Sequence, residues 1–231
     1  MTLSEEALFD PLAELYERYA DINEECYLPW LSAALEVDGP RERAVDLGCG
    51  SGRWDRLLAD RYEHVLAVDI AEREIEIARA KRARPNIDYQ VRSLLDVTPD
   101  TDGRFDLVFS VNALFHLRDY DRVLPHVRSL VRPGGHLIIV DVVARPTNAK
   151  LVHRWRGVLD AAETLVRRRS VSDAAAVFRL RQHPAWMRHA RTNAPVCRAE
   201  LHRRCSEALP GVVFTDSIDS HICAMRWQAP A

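Results

Sequence analysis

A glycine-rich segment near residue 50 carries the clearest chemical signal in the sequence. Three glycines stand at alternate positions, Gly48, Gly50 and Gly52, and the acidic residue Asp46 precedes them at the end of a short apolar run. Glycine lets a backbone turn sharply and approach a ligand that a Cβ atom would keep away. The amides of such a loop, and of the helix that follows, then face the ligand. The segment therefore predicts a loop that holds a cofactor between a strand and a helix.

Two classes of cofactor could use this loop. A dinucleotide-binding turn needs a third small residue at the end of its G-x-G-x-x-G pattern, so that the helix packs closely on the sheet, but Arg53 stands there. Asp69 ends the next apolar run, where a carboxylate can accept hydrogen bonds from both hydroxyls of a ribose. A dinucleotide has no use for Asp46, whereas that carboxylate suits a ligand with a cationic amine or sulfonium group.

With Asp46, the three glycines and Asp69 in this order, the sequence resembles the class I S-adenosylmethionine-dependent methyltransferases, specifically the small-molecule group found in bacteria. The resemblance extends over residues 10 to 145 and, more weakly, over the C-terminal end. It implies S-adenosyl-L-methionine as the cofactor and an α/β fold with a doubly wound, seven-stranded, mostly parallel sheet. It also implies an enzyme that transfers the methyl group to an oxygen, nitrogen or carbon nucleophile of a small molecule by in-line displacement.

The resemblance assigns cofactor-binding roles around the loop. Asp46 and Gly48 would hold the amine and carboxylate of the methionine part, while the other two glycines would shape the loop beneath them. Asp69 would bind the ribose, and Ile70 would lie against the adenine.

The segment after the third predicted strand departs from the family pattern. Many members place an acid there that accepts from the adenine amino group, but Ser93 and Leu94 occupy this place. A serine hydroxyl can still accept, and the Leu94 amide could donate to the ring. Asp96 could substitute only with a shift of register, and we interpret it as a turn residue.

The loop after the fourth predicted strand is similar to the one that meets the methionine part of the cofactor in the family. Val111 would act through its carbonyl and Asn112 through its amide, and the side chains that follow would look into the substrate site. Our candidate for a general base is His116, because it lies just past a strand end and imidazole titrates near neutrality. A base is needed only when the acceptor starts protonated. The alternative for His116 is packing beside Phe115 at a helix start.

Strands and helices alternate along the chain, which predicts a parallel, doubly wound sheet with its ligands at the carboxyl ends of the strands. A turn is predicted at Arg132–Gly135, and the family pattern places the last strand antiparallel beside the fifth. The predicted helices cover 54–61, 72–84, 120–131 and 197–209. The predicted strands cover 43–47, 64–69, 87–92, 105–110, 136–143, 212–216 and 221–227.

We expect a single domain with four parts: a helical cap (1–38), a cofactor-binding core (39–145), a helical lid insertion (146–195), and a final helix with two strands (196–231). Apolar and aromatic residues at helical spacing predict the cap. Within it, Tyr16 and Tyr19 are candidates for closing over the cofactor, and packing in the core explains them equally well.

The predicted insertion is basic, with ten Lys or Arg and three Asp or Glu between Pro146 and Pro195. The run Arg167–Arg169 is most simply a solvated helix end. If this run instead faces the pocket, it predicts an anionic small-molecule substrate.

The composition fits one α/β protein of 231 residues with a formal net charge of −2. The N-terminal segment does not resemble a signal peptide, and no stretch has the length of a membrane span. The five cysteines are scattered without a C-x-x-C pair, which argues against a zinc site and against a disulfide framework. We therefore expect a cytoplasmic protein with no metal ion and no membrane partner.

Two further functions remain open for this sequence. The first is RNA methylation, with the basic insertion as a phosphate track. Against it, the chain carries no appended RNA-binding module, and its aromatic residues do not alternate with basic ones, so we expect no nucleic-acid partner. The second is a protein that binds S-adenosylmethionine without methyl transfer, or that promotes another reaction such as a cyclisation, because the fold does not fix the function.

Overall fold

The computed structural model describes residues 12–144, 153–192 and 195–231. Its internal contacts divide the chain into two compact units. We call them the sheet unit, formed by Trp30–Arg145 and Pro195–Ala231, and the helical unit, formed by Met1–Pro29 and Pro146–Ala194. Residues 1–11 of the predicted cap, and residues 145–152 and 193–194 around the predicted insertion, lie outside the described residues.

Seven strands form one sheet in the sheet unit. They are β1 (Arg43–Leu47), β2 (His64–Asp69), β3 (Ile87–Val91), β4 (Phe105–Val111), β5 (Val131–Val142), β6 (Val213–Thr215) and β7 (Ile222–Gln228). Their order is β3-β2-β1-β4-β5-β7-β6. The first five pair in parallel, and β7 is antiparallel to both β5 and β6. The doubly wound, mostly parallel sheet and its antiparallel last strand are therefore confirmed.

Ten α-helices lie within the described residues. They are α1 (Ala13–Asn23), α2 (Leu28–Ala34), α3 (Asp55–Ala59), α4 (Glu72–Arg82), α5 (Pro99–Asp102), α6 (Tyr120–Leu130), α7 (His153–Arg168), α8 (Val171–Gln182), α9 (Pro184–Thr192) and α10 (Arg198–Ala208). The prediction carried α4 to residue 84. The helix ends earlier, with Ala83 in an extended conformation, because the residue before Pro85 is disfavoured in a helix.

The sheet is buried on both faces, as its continuous apolar strands require. Val45, Val108 and Ile139 from the three central strands are at most 1% exposed. One face is covered by α6, whose apolar residues recur at helical spacing, and by Leu201 and Cys205 of α10. Because both faces are covered, ligands of such a sheet bind at the carboxyl ends of its strands, where loops connect the strands to helices.

The segment Arg132–Gly135 was predicted as a turn before the fifth strand, and this is wrong. β5 begins at Val131, which pairs with Phe105, and the pairing resumes with Leu107 opposite His136. The intervening residues form a bulge inside the strand. Asp106 fixes this region, because its Oδ2 accepts from the amides of Glu42 and Arg43 at 2.8 Å and its carboxylate also pairs with Arg132.

The helical unit packs the N-terminal helix α1 against α8 of the predicted insertion. Leu12, Leu180 and Ala185 form its buried apolar centre. Asp173 on α8 is 4% exposed and accepts from Arg18 of α1 and from Arg168 at the end of α7. No helix in the described ranges has an apolar stretch long enough to cross a bilayer.

Candidate functional site

The glycine loop follows β1 and owes its path to left-handed backbone conformations. Gly48, Gly50 and Gly52 have φ of +79°, +53° and +77°, where side chains other than glycine are strained. At two of these positions, the lack of space for a side chain is a second reason for glycine. A Cβ at Gly48 would lie 2.3 Å from the Cβ of Ala113, and a Cβ at Gly52 would lie 2.6 Å from the Tyr89 hydroxyl.

Asp69, at the end of β2, holds the glycine loop from beside it. Its Oδ2 accepts from the Gly50 amide at 2.8 Å and its Oδ1 accepts from the Ala71 amide at 2.9 Å. Burial raises the pKa of Asp69, although these backbone donors oppose the shift. The acid predicted to bind a ribose therefore also positions the loop. Ile70, predicted to lie against the adenine, is 37% exposed beside it.

Asp46 lies at the base of the loop and is 2% exposed, yet among the described residues no N–H group donates a hydrogen bond to its Oδ1. Burial is the main cause that raises its pKa well above the ordinary value, and the nearby charges of Asp55 and Asp69 add to it. A buried carboxylate oxygen without a partner is costly. A cationic amine of a bound ligand would satisfy it, so the predicted role of Asp46 fits the local chemistry.

Asp55, the first residue of α3, was not predicted as part of the site. It is fully buried, and its carboxyl group lies against that of Asp46 and beside the Tyr89 hydroxyl. Burial raises the pKa of Asp55 to about 6. Two carboxyl groups in contact in a dry environment do not both ionise, so the pair shares a proton. The sequence gives Asp55 no signal beyond its place after the glycines.

The loop after β4 lies next to the glycine loop, since Ala113 fills the space that a Cβ on Gly48 would need. Asn112 has a φ of +55°, which asparagine tolerates better than most residues. Its backbone amide, which we expected to face the cofactor, instead donates to the Val140 carbonyl at 2.7 Å. Val111 is the last residue of β4 and also pairs with Val140. The Asn112 amide is thus engaged in the sheet in this structure, and its contact with a cofactor stays a prediction.

His116 ends a short 3-10 turn, Leu114–His116, and is half-buried. Its ring lies with its centroid 3.9 Å from that of Phe115, which is the packing named as the alternative to a general base. The two roles are compatible, because a ring contact of this kind, tilted by 37°, does not itself occupy a ring nitrogen. The role of His116 as a base stays a prediction.

Asp141, near the end of β5, supports the turn that carries His116. Its carboxylate accepts from the amides of Phe115 and Val142 and from the Tyr120 hydroxyl at 3.4 Å. The residue is 1% exposed, and burial raises its pKa to about 7. The sequence analysis missed Asp141. An acid inside a strongly apolar strand was the signal that could have found it.

The Ser93 side chain stabilises the short turn that follows it. Its Oγ accepts from the Leu95 amide at 3.2 Å and caps the short turn Leu94–Asp96. The Leu94 carbonyl accepts from His126 at 3.0 Å. Asp96 is exposed, which agrees with its interpretation as a turn acid. Contact of Ser93 and Leu94 with an adenine stays a prediction.

Tyr16 and Tyr19 lie in the aromatic cluster of the helical unit. Their rings lie 6.0 and 5.8 Å from that of Trp186, and the Tyr19 hydroxyl accepts from Arg181 at 2.8 Å. Packing within this unit therefore accounts for both residues, and closure over a cofactor stays a prediction.

The arginine run at the end of α7 is exposed, in agreement with the interpretation of a solvated helix end, and two of its members also contact other residues of the helical unit. Arg167 donates to the Ile22 carbonyl at 3.1 Å, and Arg168 pairs with Glu25 at 2.8 Å and with Asp173 at 3.0 Å. These contacts join the ends of α7 and α1.

Comparison with known proteins identifies the part of the chain that carries the glycine loop. Residues 45–139 match the model of a methyltransferase domain family. The ubiquinone biosynthesis O-methyltransferase of Xanthomonas euvesicatoria pv. vesicatoria is 32% identical over 114 residues, which cover 48% of this chain and 47% of that relative. The chain thus matches about half the length of this curated relative.

Solved structures with little sequence similarity share the fold. Phosphoethanolamine N-methyltransferase 2 of Haemonchus contortus superposes with a TM-score of 0.69 at 13% identity, covering 100% of this chain and 61% of that one. The N-methyltransferase NodS of Bradyrhizobium japonicum superposes with a TM-score of 0.56 at 18% identity, covering 91% and 98%. Residues 45–139 are thus similar to a methyltransferase domain, and the solved structures, at less than 25% identity, show a shared fold.

Proposed function

We propose that this protein transfers a methyl group from S-adenosylmethionine to a small-molecule acceptor by in-line displacement. The observation that carries the proposal is the buried Asp46 carboxyl group, whose Oδ1 accepts from no described N–H group, beneath a loop of three glycines with positive φ. A site of this kind suits a ligand that brings a positive charge close to the backbone. S-adenosylmethionine has both a cationic amine and a sulfonium group.

Each residue of the site would hold a different part of the cofactor. Asp46 would take the amine, and the loop held by Asp69 would leave room for the methionine part. The Asp69 oxygens, which already accept from backbone amides, would use their remaining lone pairs to bind the ribose hydroxyls, and Ile70 would lie against the adenine. The bound cofactor supplies an already activated methyl group, so the protein mainly aligns the reacting atoms and excludes water.

An oxygen acceptor is the first choice for testing. The X. euvesicatoria relative carries the name of an O-methyltransferase, and a hydroxyl group must lose its proton for efficient attack. His116, fixed by Phe115 and by the turn that Asp141 supports, would remove that proton as a general base.

A small acceptor is favoured over RNA because the arginines that suggested a phosphate track have partners inside the helical unit. Arg167 binds a backbone carbonyl, Arg168 binds two acids, and Arg181 pairs with Asp160 at 2.8 Å. Cationic side chains engaged in this way contribute little to a track for phosphates.

The proposal is tested by incubating the purified protein with S-adenosylmethionine labelled in the methyl group and a panel of small phenols, alcohols and amines. We expect label in at least one small product and one equivalent of S-adenosylhomocysteine per methyl transferred. Label in RNA alone would support the RNA alternative. Tight cofactor binding with no labelled product from any acceptor class would support binding without methyl transfer.

A further inference from the structure

A histidine, an aspartate and a cysteine meet at the edge of the sheet unit, away from the glycine loop. His202 lies on α10, Asp216 follows β6 directly, and Cys223 lies on β7. One ligand atom from each, the imidazole Nε2, a carboxylate oxygen and the thiol Sγ, lie within 4.8 Å of one another. These are the three donor types that zinc takes in proteins.

Hydrogen bonds from His202 and from the Cys223 thiol to the Asp216 carboxylate account for two of the three contacts, and the contact between His202 and Cys223 is left over. The His202 Nε2 lies 3.3 Å from the Asp216 Oδ1 and 3.5 Å from the Cys223 Sγ. A single imidazole nitrogen either donates one hydrogen or accepts one, so it cannot make a full hydrogen bond to both neighbours. A relay of the Cys-His-Asp type would use the two different ring nitrogens, and here both contacts are to the same one.

The distances match the edges of a metal tetrahedron. With zinc bonds of about 2.3 Å to sulfur and about 2.0–2.2 Å to nitrogen and oxygen, tetrahedral ligands lie roughly 3.5 Å apart for nitrogen and sulfur and roughly 3.4 Å apart for nitrogen and oxygen. The observed separations of 3.5 and 3.3 Å agree with both values. The two distances that involve His202 therefore already suit a shared ion, and the third, between Asp216 and Cys223, is at most 4.8 Å.

Neighbouring contacts hold the three side chains in place. The His202 ring stacks on Phe214 with centroids 3.9 Å apart and an interplanar angle of 17°. Arg198 pairs with the Asp216 Oδ1 at 2.6 Å and also donates to the carbonyls of Asp219, Ser220 and Ile222. Cys223 is fully buried. Such second contacts fix ligand orientation at metal sites, where the ligating carboxylates are themselves hydrogen-bonded, and the Asp216 Oδ1 near His202 is the oxygen that Arg198 binds.

We propose that His202, Asp216 and Cys223 form a binding site for a divalent cation of the zinc class. Nitrogen, oxygen and sulfur donors together select Zn²⁺ over Mg²⁺ or Ca²⁺, which prefer oxygen alone. Binding releases the thiol proton to solvent as the sulfur becomes a thiolate ligand. Three protein ligands leave a fourth position to water. The ion would join α10 to the last two strands, and the site does not depend on the proposed methyl transfer.

Cobalt substitution tests this proposal directly. The full chain, stripped with a chelator and kept reduced with a phosphine, is titrated with Co²⁺ and then with Zn²⁺. We expect one Co²⁺ per chain, visible absorption of tetrahedral Co²⁺, a near-ultraviolet band from thiolate to cobalt, and loss of both on adding one equivalent of Zn²⁺. Bound Zn²⁺ should also raise the midpoint of thermal unfolding.

Matched variants identify the ligands. Cys223→Ser should remove the thiolate band, and His202→Gln and Asp216→Asn should each weaken Zn²⁺ binding at least tenfold. Cys205→Ala, at a buried cysteine outside the three-residue set, and Cys26→Ser with Cys197→Ser, at the exposed ones, should bind as the parent does. Far-ultraviolet circular dichroism shows which variants are folded, and the partly exposed His202 provides the readout if Cys223→Ser is not.

The proposal is overturned if the parent protein takes up no Co²⁺ or Zn²⁺ at micromolar concentrations. It is equally overturned if the thiolate band survives in folded Cys223→Ser, or if His202→Gln and Asp216→Asn bind Zn²⁺ as tightly as the parent. The last result would mean that His202 and Asp216 form only an ion pair.

Discussion

Single buried acids decide the chemistry of the proposed cofactor site. Asp46 and Asp55 touch each other and share a proton, whereas backbone donors stabilise the ionised form of Asp69. In the protein without ligand, the charged forms of Asp46 and Asp55 are destabilised by burial. A cationic ligand reverses this at Asp46, so we expect the site to gain negative charge when the cofactor binds.

The raised pKa of Asp55 predicts how stability depends on pH. A carboxyl group whose pKa is about 6 when folded and about 3.8 when unfolded keeps its proton in the folded state at pH 5. Its contribution to stability is therefore complete below pH 4 and is lost as the pH rises through 6. Asp141, with a pKa of about 7, acts in the same direction.

Urea unfolding without cofactor between pH 5 and 8 checks this prediction. The free energy of unfolding of the parent should fall as the pH rises, whereas Asp55→Asn should flatten the curve and be more stable than the parent at pH 8 by about 1–3 kcal/mol. The exposed Asp100→Asn serves as control and should follow the parent. A parent protein that becomes steadily more stable from pH 5 to 8 would contradict the assignment.

His116 and Asp141 make a linked prediction about turnover. His116→Ala should lower kcat at least tenfold, as expected for loss of a general base, with little change in cofactor affinity. Asp141→Ala should also lower kcat, because the amides of Phe115 and Val142 lose their acceptor, while Asp141→Asn keeps an acceptor oxygen and should retain more activity.

A double-mutant cycle separates these roles. If Asp141 acts through His116, the double Ala variant should be no slower than His116→Ala alone. Steady-state kinetics with a labelled acceptor gives the four rates. Unchanged kcat in His116→Ala would make the histidine structural, and fully additive losses would mean that Asp141 acts independently of it.

Among the larger elements, the contact between the loops after β1 and β4 is the tightest in the site. Gly48 and Ala113 leave no space for another Cβ atom. We expect Gly48→Ala to destabilise the protein and to weaken cofactor binding, because it adds both a steric clash and strain at a positive φ.

The matched double variant divides these two costs. Gly48→Ala with Ala113→Gly removes the clash but keeps the strained φ, so it should recover part of the stability lost in Gly48→Ala. Gly50→Ala adds the strain without a clash, because the atom nearest to the new Cβ would lie 3.8 Å away. It should therefore lose less stability than Gly48→Ala. Thermal unfolding and cofactor titration measure both effects. Equal losses in Gly48→Ala and the double variant would show that the clash is unimportant.

The elements predicted from the sequence match the structure where a local pattern decides them. The apolar runs gave β1 and β2 their observed bounds, and Pro-Gly-Gly at residues 133–135 suggested a turn for local reasons. There, the strand pairs on either side of the segment, together with hydrogen bonds of Gly134 to Pro230 and of Ala229 to Gly135, keep it within β5 as a bulge. Local turn propensity yields to tertiary pairing at this place.

Side chains brought together from distant parts of the chain could not be predicted in the same way. Asp46 and Asp69 follow from the order of strands and acids. Asp55 and Asp141 act through contacts that only the folded chain shows. His202, Asp216 and Cys223 lie on three separate elements and have no motif spacing, which is why a search for C-x-x-C pairs argued against a metal site.

For the whole molecule, two compact units share the functional candidates unevenly. Every residue of the glycine loop, with Asp69, Asn112 and His116, belongs to the sheet unit, whereas Tyr16 and Tyr19 belong to the helical unit. The sheet unit alone therefore carries the acids and glycines that would bind the cofactor.

Calorimetric titration of the full chain with S-adenosylhomocysteine, the demethylated cofactor, tests most directly whether this protein binds the cofactor. We expect one site per chain in the parent, at least tenfold weaker binding in Asp46→Asn, a loss of about 1.4 kcal/mol or more, and parental affinity in the exposed control Asp100→Asn. No binding of S-adenosylhomocysteine or S-adenosylmethionine by the folded parent, or preferential binding of a nicotinamide dinucleotide, would contradict the account.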